Sequence, residues 1–231
     1  MKAQGRVSVW TMVERLTTLL VLVAAVIVGW RFAFPNKAPQ QRPEIKLPDG
    51  PVSVQEATIR GEPNAPITML IFSDFQCPFC ATFAKETWPV LAENEVKQGR
   101  LRVAFRHLPL SMHPRAPRAA AAVECAGEQG RFWEMHDLLF AETKLLDDDL
   151  TLAAKSLGLM EGPFRGCLDG PVRDKVARDA NVARSLGISG TPAFLIGRTL
   201  PGDQMKVTAI LTGARPLSEF RSAFDRTLAA R

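Results

Sequence analysis

The chain has 231 residues, 46% of them hydrophobic and 23% charged, with 29 Lys and Arg against 24 Asp and Glu for a net charge of +5. These proportions suit an ordinary globular protein with room for one sizeable core. The basic residues are scattered and do not interleave with aromatics, there is no Tyr, and neither a GxGxxG turn after a strand nor a GxxxxGK phosphate loop occurs, so nucleic-acid and nucleotide binding have no support.

At the N-terminus, Leu16 to Trp30 is an uncharged apolar run flanked by Glu14, Arg15 and Arg31. It is shorter than the roughly 20 residues of a typical membrane span, but Val7 to Trp10 and Phe32 to Phe34 extend it if the arginines snorkel to the interfaces. A cleaved signal peptide is the competing reading. That reading wants a small-x-small site, and Trp30-Arg31-Phe32-Ala33-Phe34-Pro35 is a poor one. The expectation is an uncleaved anchor over 1–34, with a buried soluble helix as a third reading; Lys and Arg on both sides leave its orientation undecided. Pro35, Pro39, Pro43, Pro48 and Pro51 then mark a semi-extended tether over 35–54.

A turn cluster, Gly61-Glu62-Pro63-Asn64-Ala65-Pro66, leads into Ile67-Thr68-Met69-Leu70-Ile71-Phe72, a short apolar run that fits a buried strand. At Cys77-Pro78-Phe79-Cys80 it gives way to a helix reaching Val96, in which Pro89 should kink or interrupt the pattern. Cys77 falls at the helix N-terminus with Pro78 at the first helical position, where a missing N–H does no harm. Unpaired N–H groups and the positive end of the helix dipole favour the Cys77 thiolate there, and a thiolate is what attacks disulfides. Cys80, one turn on, is placed to close a disulfide with Cys77 or to resolve a mixed disulfide formed on it. Two plainer readings stay open. A CxxC can be half of a zinc site, though no second CxxC or suitably spaced Cys/His pair occurs and His107, His113 and His136 are scattered; it can also be an inert surface disulfide.

Leu101 to Arg106 reads as a second strand whose alternation should expose its arginines. From Pro114 to Leu186 the pattern is helical. Arg118 to Ala126 and Phe132 to Phe140 are two helices, Asp147, Asp148 and Asp149 offer caps for a third ending at Gly158, and Pro171 opens a fourth that runs to Gly187. So much helix between two strands exceeds an ordinary crossover and reads as an inserted lobe at about 112–186. Cys125 and Cys167 both lie in it. In an exported protein an even cysteine count points to a bridge between them, with two buried free thiols as the alternative. Beyond the lobe, Gly187-Ile188-Ser189-Gly190-Thr191-Pro192 leads into a strand over Ala193 to Ile196. Gly197 to Gly202 reads as a turn, Met205 to Leu211 as a further strand, and Pro216 to Ala230 as a closing amphipathic helix.

Three stretches taken together carry a resemblance: Phe72-Ser73-Asp74-Phe75-Gln76-Cys77-Pro78-Phe79-Cys80; Cys125-Ala126 with Gln129 to Asp137 and Leu139-Phe140; and Gly187 to Phe194. From about residue 55 to the C-terminus the chain resembles the DsbA-like thiol-disulfide oxidoreductases of the thioredoxin superfamily, in particular the membrane-tethered bacterial members. The resemblance implies an α/β thioredoxin-like fold over 55–231 with the helical insertion, and catalytic roles for Cys77 and Cys80. It also implies a cis bond before Pro192 lying against the pair, and a Thr191 backbone that pairs with an extended substrate strand. Pro78 and Phe79 would tune the pair. Phe79 stands where the DsbA prototype has histidine, and a neutral aromatic cannot hold a thiolate as an imidazolium does, which implies a less acidic Cys77 and a less oxidising disulfide. The implied activity is disulfide formation in reduced exported proteins on the extracytoplasmic side of a bacterial cytoplasmic membrane. A membrane redox partner would recycle the pair, with no cofactor, metal or nucleic acid involved. A disulfide reductase or isomerase on the same scaffold, and a non-catalytic client-binding module, are the alternatives.

Overall fold

The computed structural model describes residues 9–33, 45–141 and 145–229 and divides into two units, Met1–Glu44 and Ile45–Arg231. In the first, α1 (Val9–Ala33) is a continuous helix in which Met12–Trp30 has a mean hydropathy of 2.0 and is wholly unburied, long and apolar enough to cross a membrane. The Thr17 and Thr18 hydroxyls donate to the Val13 and Glu14 carbonyls of their own helix, so neither brings an unsatisfied donor to an apolar surroundings. Up to residue 44, the tether expected over 35–54 lies outside the described residues. Its far end does not behave as a tether, because Val52–Ser53 is an edge strand, β1.

The second unit is built on a six-stranded sheet. After β1 come β2 (Thr58–Arg60), β3 (Ile67–Ser73), β4 (Leu101–His107), β5 (Ala193–Leu200) and β6 (Gln204–Thr212), in the spatial order β1-β6-β5-β3-β4-β2. β3 and β4 are parallel and the remaining pairs antiparallel. Every residue of β3 is buried, which is why its sequence is a continuous apolar run rather than an alternating one: both faces of the sheet are covered. Ile67, Met69 and Ile71 point into one layer with Cys77, Cys80 and Phe105, whereas Leu70 and Phe72 point into another with Ala104, Ala180 and Leu195. This is the thioredoxin-like α/β fold with a helical insertion.

The helix after Cys77 runs as α2 (Pro78–Thr82), a π-helical turn (Phe83–Thr87), α3 (Trp88–Leu91) and a second π-helical turn (Ala92–Val96). Pro89 does not break it. A proline ring would clash with the carbonyl four residues back, and the widened turn just before it, where the Trp88 N–H reaches the Phe83 carbonyl, makes the room. The lobe contains α4 (Ala116–Gly127), α5 (Phe132–Ala141), α6 (Asp147–Ser156), α7 (Glu161–Leu168) and α8 (Val172–Ser185), and α9 (Leu217–Ala229) closes the chain. The third helix is capped as expected in kind, with the Asp149 carboxyl accepting the Leu146 N–H at 2.9 Å. α7 was not foreseen, because Gly162, Pro163 and Gly166 break its pattern; buried Phe164 and a disulfide from Cys167 to Cys125 on α4 hold it in place.

Two expectations are corrected here. Arg102 and Arg106 are buried at 4% exposure each, since β4 is an interior strand with α8 packed on it. Arg106 is paired with Asp179 at 2.5 Å and donates to the Gln55 carbonyl, while Arg102 reaches Asp203 at 3.2 Å. Nor is Gly197 to Gly202 a turn: β5 runs on to Leu200 through an irregularity at Ile196/Gly197, where an added Cβ at Gly197 would lie 2.1 Å from the Lys206 carbonyl oxygen. The bridge between positions 42 apart constrains the unfolded chain. Replacing Cys125 and Cys167 together with Ala is expected to lower stability by roughly 4 kcal/mol in urea titrations at equilibrium.

Candidate active site

β3 ends at Ser73, and the turn that follows is closed by the Cys77 N–H donating to the Asp74 carbonyl at 3.1 Å. Cys77 caps α2 with extended backbone (φ −74°, ψ 121°) and Pro78 opens the helix. Both sulfurs are free thiols, but they are not equivalent: Cys77 keeps 4% exposure and Cys80 none. The Thr191–Pro192 bond is cis, and Thr191 lies against the first sulfur, its carbonyl accepting the Cys77 S–H at 3.4 Å. Thus Cys77, Cys80, Thr191 and Pro192 come together, while Phe79 projects from the helix at 59% exposure. Cys125 and Cys167 are elsewhere, bonded to each other between α4 and α7.

The two thiols are pushed in opposite directions. Cys77 is lowered from 9.0 to about 5, first by a hydrogen bond from the Cys80 side chain. Burial works against this, and the Thr191 hydroxyl and the backbone N–H groups of Cys80 and Phe79 add to it. The Thr191 hydroxyl oxygen is buried with no other hydrogen-bond partner, which leaves it free for the sulfur. Position 79 adds its backbone N–H to the lowering. Cys80 is raised well above the ordinary thiol value by burial and by the hydrogen bond and charge of Cys77, which outweigh the Ser73 hydroxyl and the Asp74 backbone.

A clasp that the sequence did not disclose surrounds the turn. Asp74 is buried, and its carboxylate accepts the Gln76 N–H at 2.7 Å, the Leu110 N–H at 2.7 Å and a bond from His113 Nδ1 at 2.7 Å. The Gln76 side-chain carbonyl in turn accepts the N–H groups of Arg115 and Ala116 at the start of α4. Two side chains of the turn thus fix the segment from Leu110 to Ala116. The only local sign was Asp two residues before Gln76, the spacing of an Asx turn.

Among the described residues, the group with metal-ligand chemistry is not the thiol pair but His107, Glu124 and Asp179, all buried. Lys175 Nζ already sits 2.7 Å from Glu124 and 3.3 Å from Asp179, so the chain supplies its own cation there.

A family model described as thioredoxin matches residues 53–210. The chain belongs to the thioredoxin family. Within solved structures of that fold it is similar to alpha-DsbA1 of Wolbachia pipientis, with TM-score 0.68 and 24% identity over 76% of this chain and 92% of the other. It is also similar to DsbA2 of Pseudomonas aeruginosa, with TM-score 0.59 and 26% identity over 73% and 92%. By sequence it is 37% identical over 176 residues to the Na(+)/H(+) antiporter NhaA 3 of Salinispora tropica, which covers 75% of this chain but 26% of that protein. The chain spans about a quarter of the length of such relatives.

Because the lowered thiol is also the one that keeps some exposure, alkylation by iodoacetamide at neutral pH should modify Cys77 and spare Cys80. Its rate should stay flat above about pH 6 and fall as pH drops through about 5, with the thiolate absorbance following the same curve. Asp74→Ala leaves two N–H groups and His113 without their acceptor and is expected to cost about 3 kcal/mol by chemical denaturation.

Proposed function

We propose that the protein is a thiol-disulfide oxidoreductase that forms disulfides in reduced exported proteins. The observation that carries this is the opposite treatment of the two thiols: an acidic Cys77 at 4% exposure in contact with Thr191, beside a fully buried Cys80 that keeps its proton. In this reading Cys77 is the sulfur that exchanges with substrate and Cys80 the one that leaves or resolves. The Thr191–Pro192 segment receives an extended substrate strand, and Pro78 and Phe79 set the helix start that presents the N–H groups.

The direction follows from the same asymmetry. Holding Cys77 as a thiolate with pKa about 5 instead of 9.0 stabilises the dithiol form at neutral pH by roughly 2–3 kcal/mol, or about 40–60 mV on a two-electron couple. A stabilised dithiol makes the disulfide a better oxidant, even with Phe79 where an imidazole could have stood. This favours oxidation over reduction or isomerisation. It also disfavours the client-binding reading, because an acidic thiol held at a helix start serves no purpose in a merely structural pair. α1 would hold the domain at the bacterial cytoplasmic membrane, facing outward, where a membrane partner returns the pair to the disulfide. The antiporters that share part of this sequence agree with a domain that works beside membrane proteins.

The purified protein should oxidise a reduced dithiol peptide, and Cys77→Ser should remove that activity altogether; activity persisting in the variant sinks the reading. Equilibration against glutathione should give a potential above the roughly −270 mV of a reducing thioredoxin, and a value at or below it would reverse the direction.

A further inference from the structure

Cys80 must lose its proton before its sulfur can attack a disulfide at Cys77, yet it has no exposure to water and burial opposes its ionisation. Some group inside the protein has to take that proton. The buried titratable side chains on hand are nearly all committed. Both Asp74 oxygens are used by Gln76, Leu110 and His113, and His136 Nδ1 is bonded to Asp137 at 2.8 Å. Glu124 holds His107 Nε2 at 2.8 Å and Lys175, and Asp179 holds Arg106, Lys175 and the His107 N–H. Among the described histidine and carboxylate atoms, His107 Nδ1 is buried and has no hydrogen-bond partner. Such an atom is rare enough in a folded interior to need a reason.

Its position supplies one. His107 pairs with Ser73 in the parallel register of β3 and β4, so the two side chains emerge on the same face of the sheet. That face is the one carrying Met69, Ile71, Phe105 and Cys80. The Ser73 side chain is the neighbouring hydroxyl that favours the Cys80 thiolate against burial. Resting on the thiol-disulfide exchange proposed above, we propose that Ser73 and His107 form the proton route of Cys80, with Ser73 beside the sulfur and His107 Nδ1 receiving the proton.

In the step, the substrate is joined to Cys77 by a mixed disulfide. The Cys80 proton passes to the Ser73 oxygen as the Ser73 hydroxyl proton passes on to His107 Nδ1, its neighbour in the register of β3 and β4. The Cys80 sulfur then bonds to the Cys77 sulfur. The bond from Cys77 to the substrate breaks, and its electron pair leaves with the substrate as a thiolate. In the oxidising direction every movement reverses: Cys80 departs with the electron pair and takes the proton from Nδ1. No outside electron donor is needed in either direction. Glu124 on α4 fixes the Nε2–H tautomer and faces the imidazolium formed, in the manner of a carboxylate orienting a histidine base. Lys175 and Asp179 on α8, Arg106 on β4 and His136 on α5 are the other charged or titratable groups around it.

The test uses the reduced full chain and a nitrobenzoate disulfide reagent, which releases one chromophore when Cys77 attacks and a second when Cys80 displaces it. Ser73→Ala and His107→Gln should leave the first release unchanged. They should slow the second roughly hundredfold at neutral pH, with recovery as pH rises toward about 9 and hydroxide replaces the missing acceptor. A structural role alone would disturb both releases and show no recovery. If both variants keep the wild-type second release and its pH profile, the relay is overturned; if the wild type gives no first release, the exchange reading itself falls.

Discussion

The site depends on the antiparallel pairing of β3 with β5. Phe72 lies opposite Ala193, so the end of one central strand and the start of the other are held in the same place. Five residues past Phe72 is Cys77, and two before Ala193 is Thr191, which is how two positions 114 apart come to share a contact of 3.4 Å. A register slip of one residue would turn each of these side chains to the opposite face. The buried apolar faces of both strands forbid it, so the geometry of the thiol rests on ordinary packing rather than on any feature of the thiol itself.

Within that geometry the two sulfurs act as one unit. The proton kept by Cys80 is the largest single reason that Cys77 can lose its own, and the charge on Cys77 is among the reasons Cys80 keeps it. The helix start adds N–H groups that are useful only to an anion. Redox poise thus comes from hydrogen bonds aimed at a sulfur, and a polar side chain between the cysteines is one contributor that this chain does without.

Much of this was legible in the sequence, and what was hidden was hidden for physical reasons. The continuous apolar run before Cys77, the Pro at the first helical position and the breaker cluster before Ala193 are local signals, and the elements stand where those signals put them. The buried arginines misled because alternation states only that residues differ in polarity; whether the polar face meets water or Asp179 is decided by α8, more than seventy positions away. Gly197 read as a turn because a close backbone approach and a turn both favour glycine. What Asp74, Gln76, Ser73 and His107 touch did not show in the sequence, because their partners are backbone groups or strand neighbours fixed only by the tertiary fold.

The bridge between Cys125 and Cys167 has a consequence for how the protein comes into being. Cys125 is sealed in the face of α4 once the lobe has packed, so no protein thiolate can reach it afterwards. Before packing, both are open thiols on an unfolded chain, which is the chemical description of a molecule awaiting oxidation. Each new copy must in that sense be oxidised before its own lobe can close.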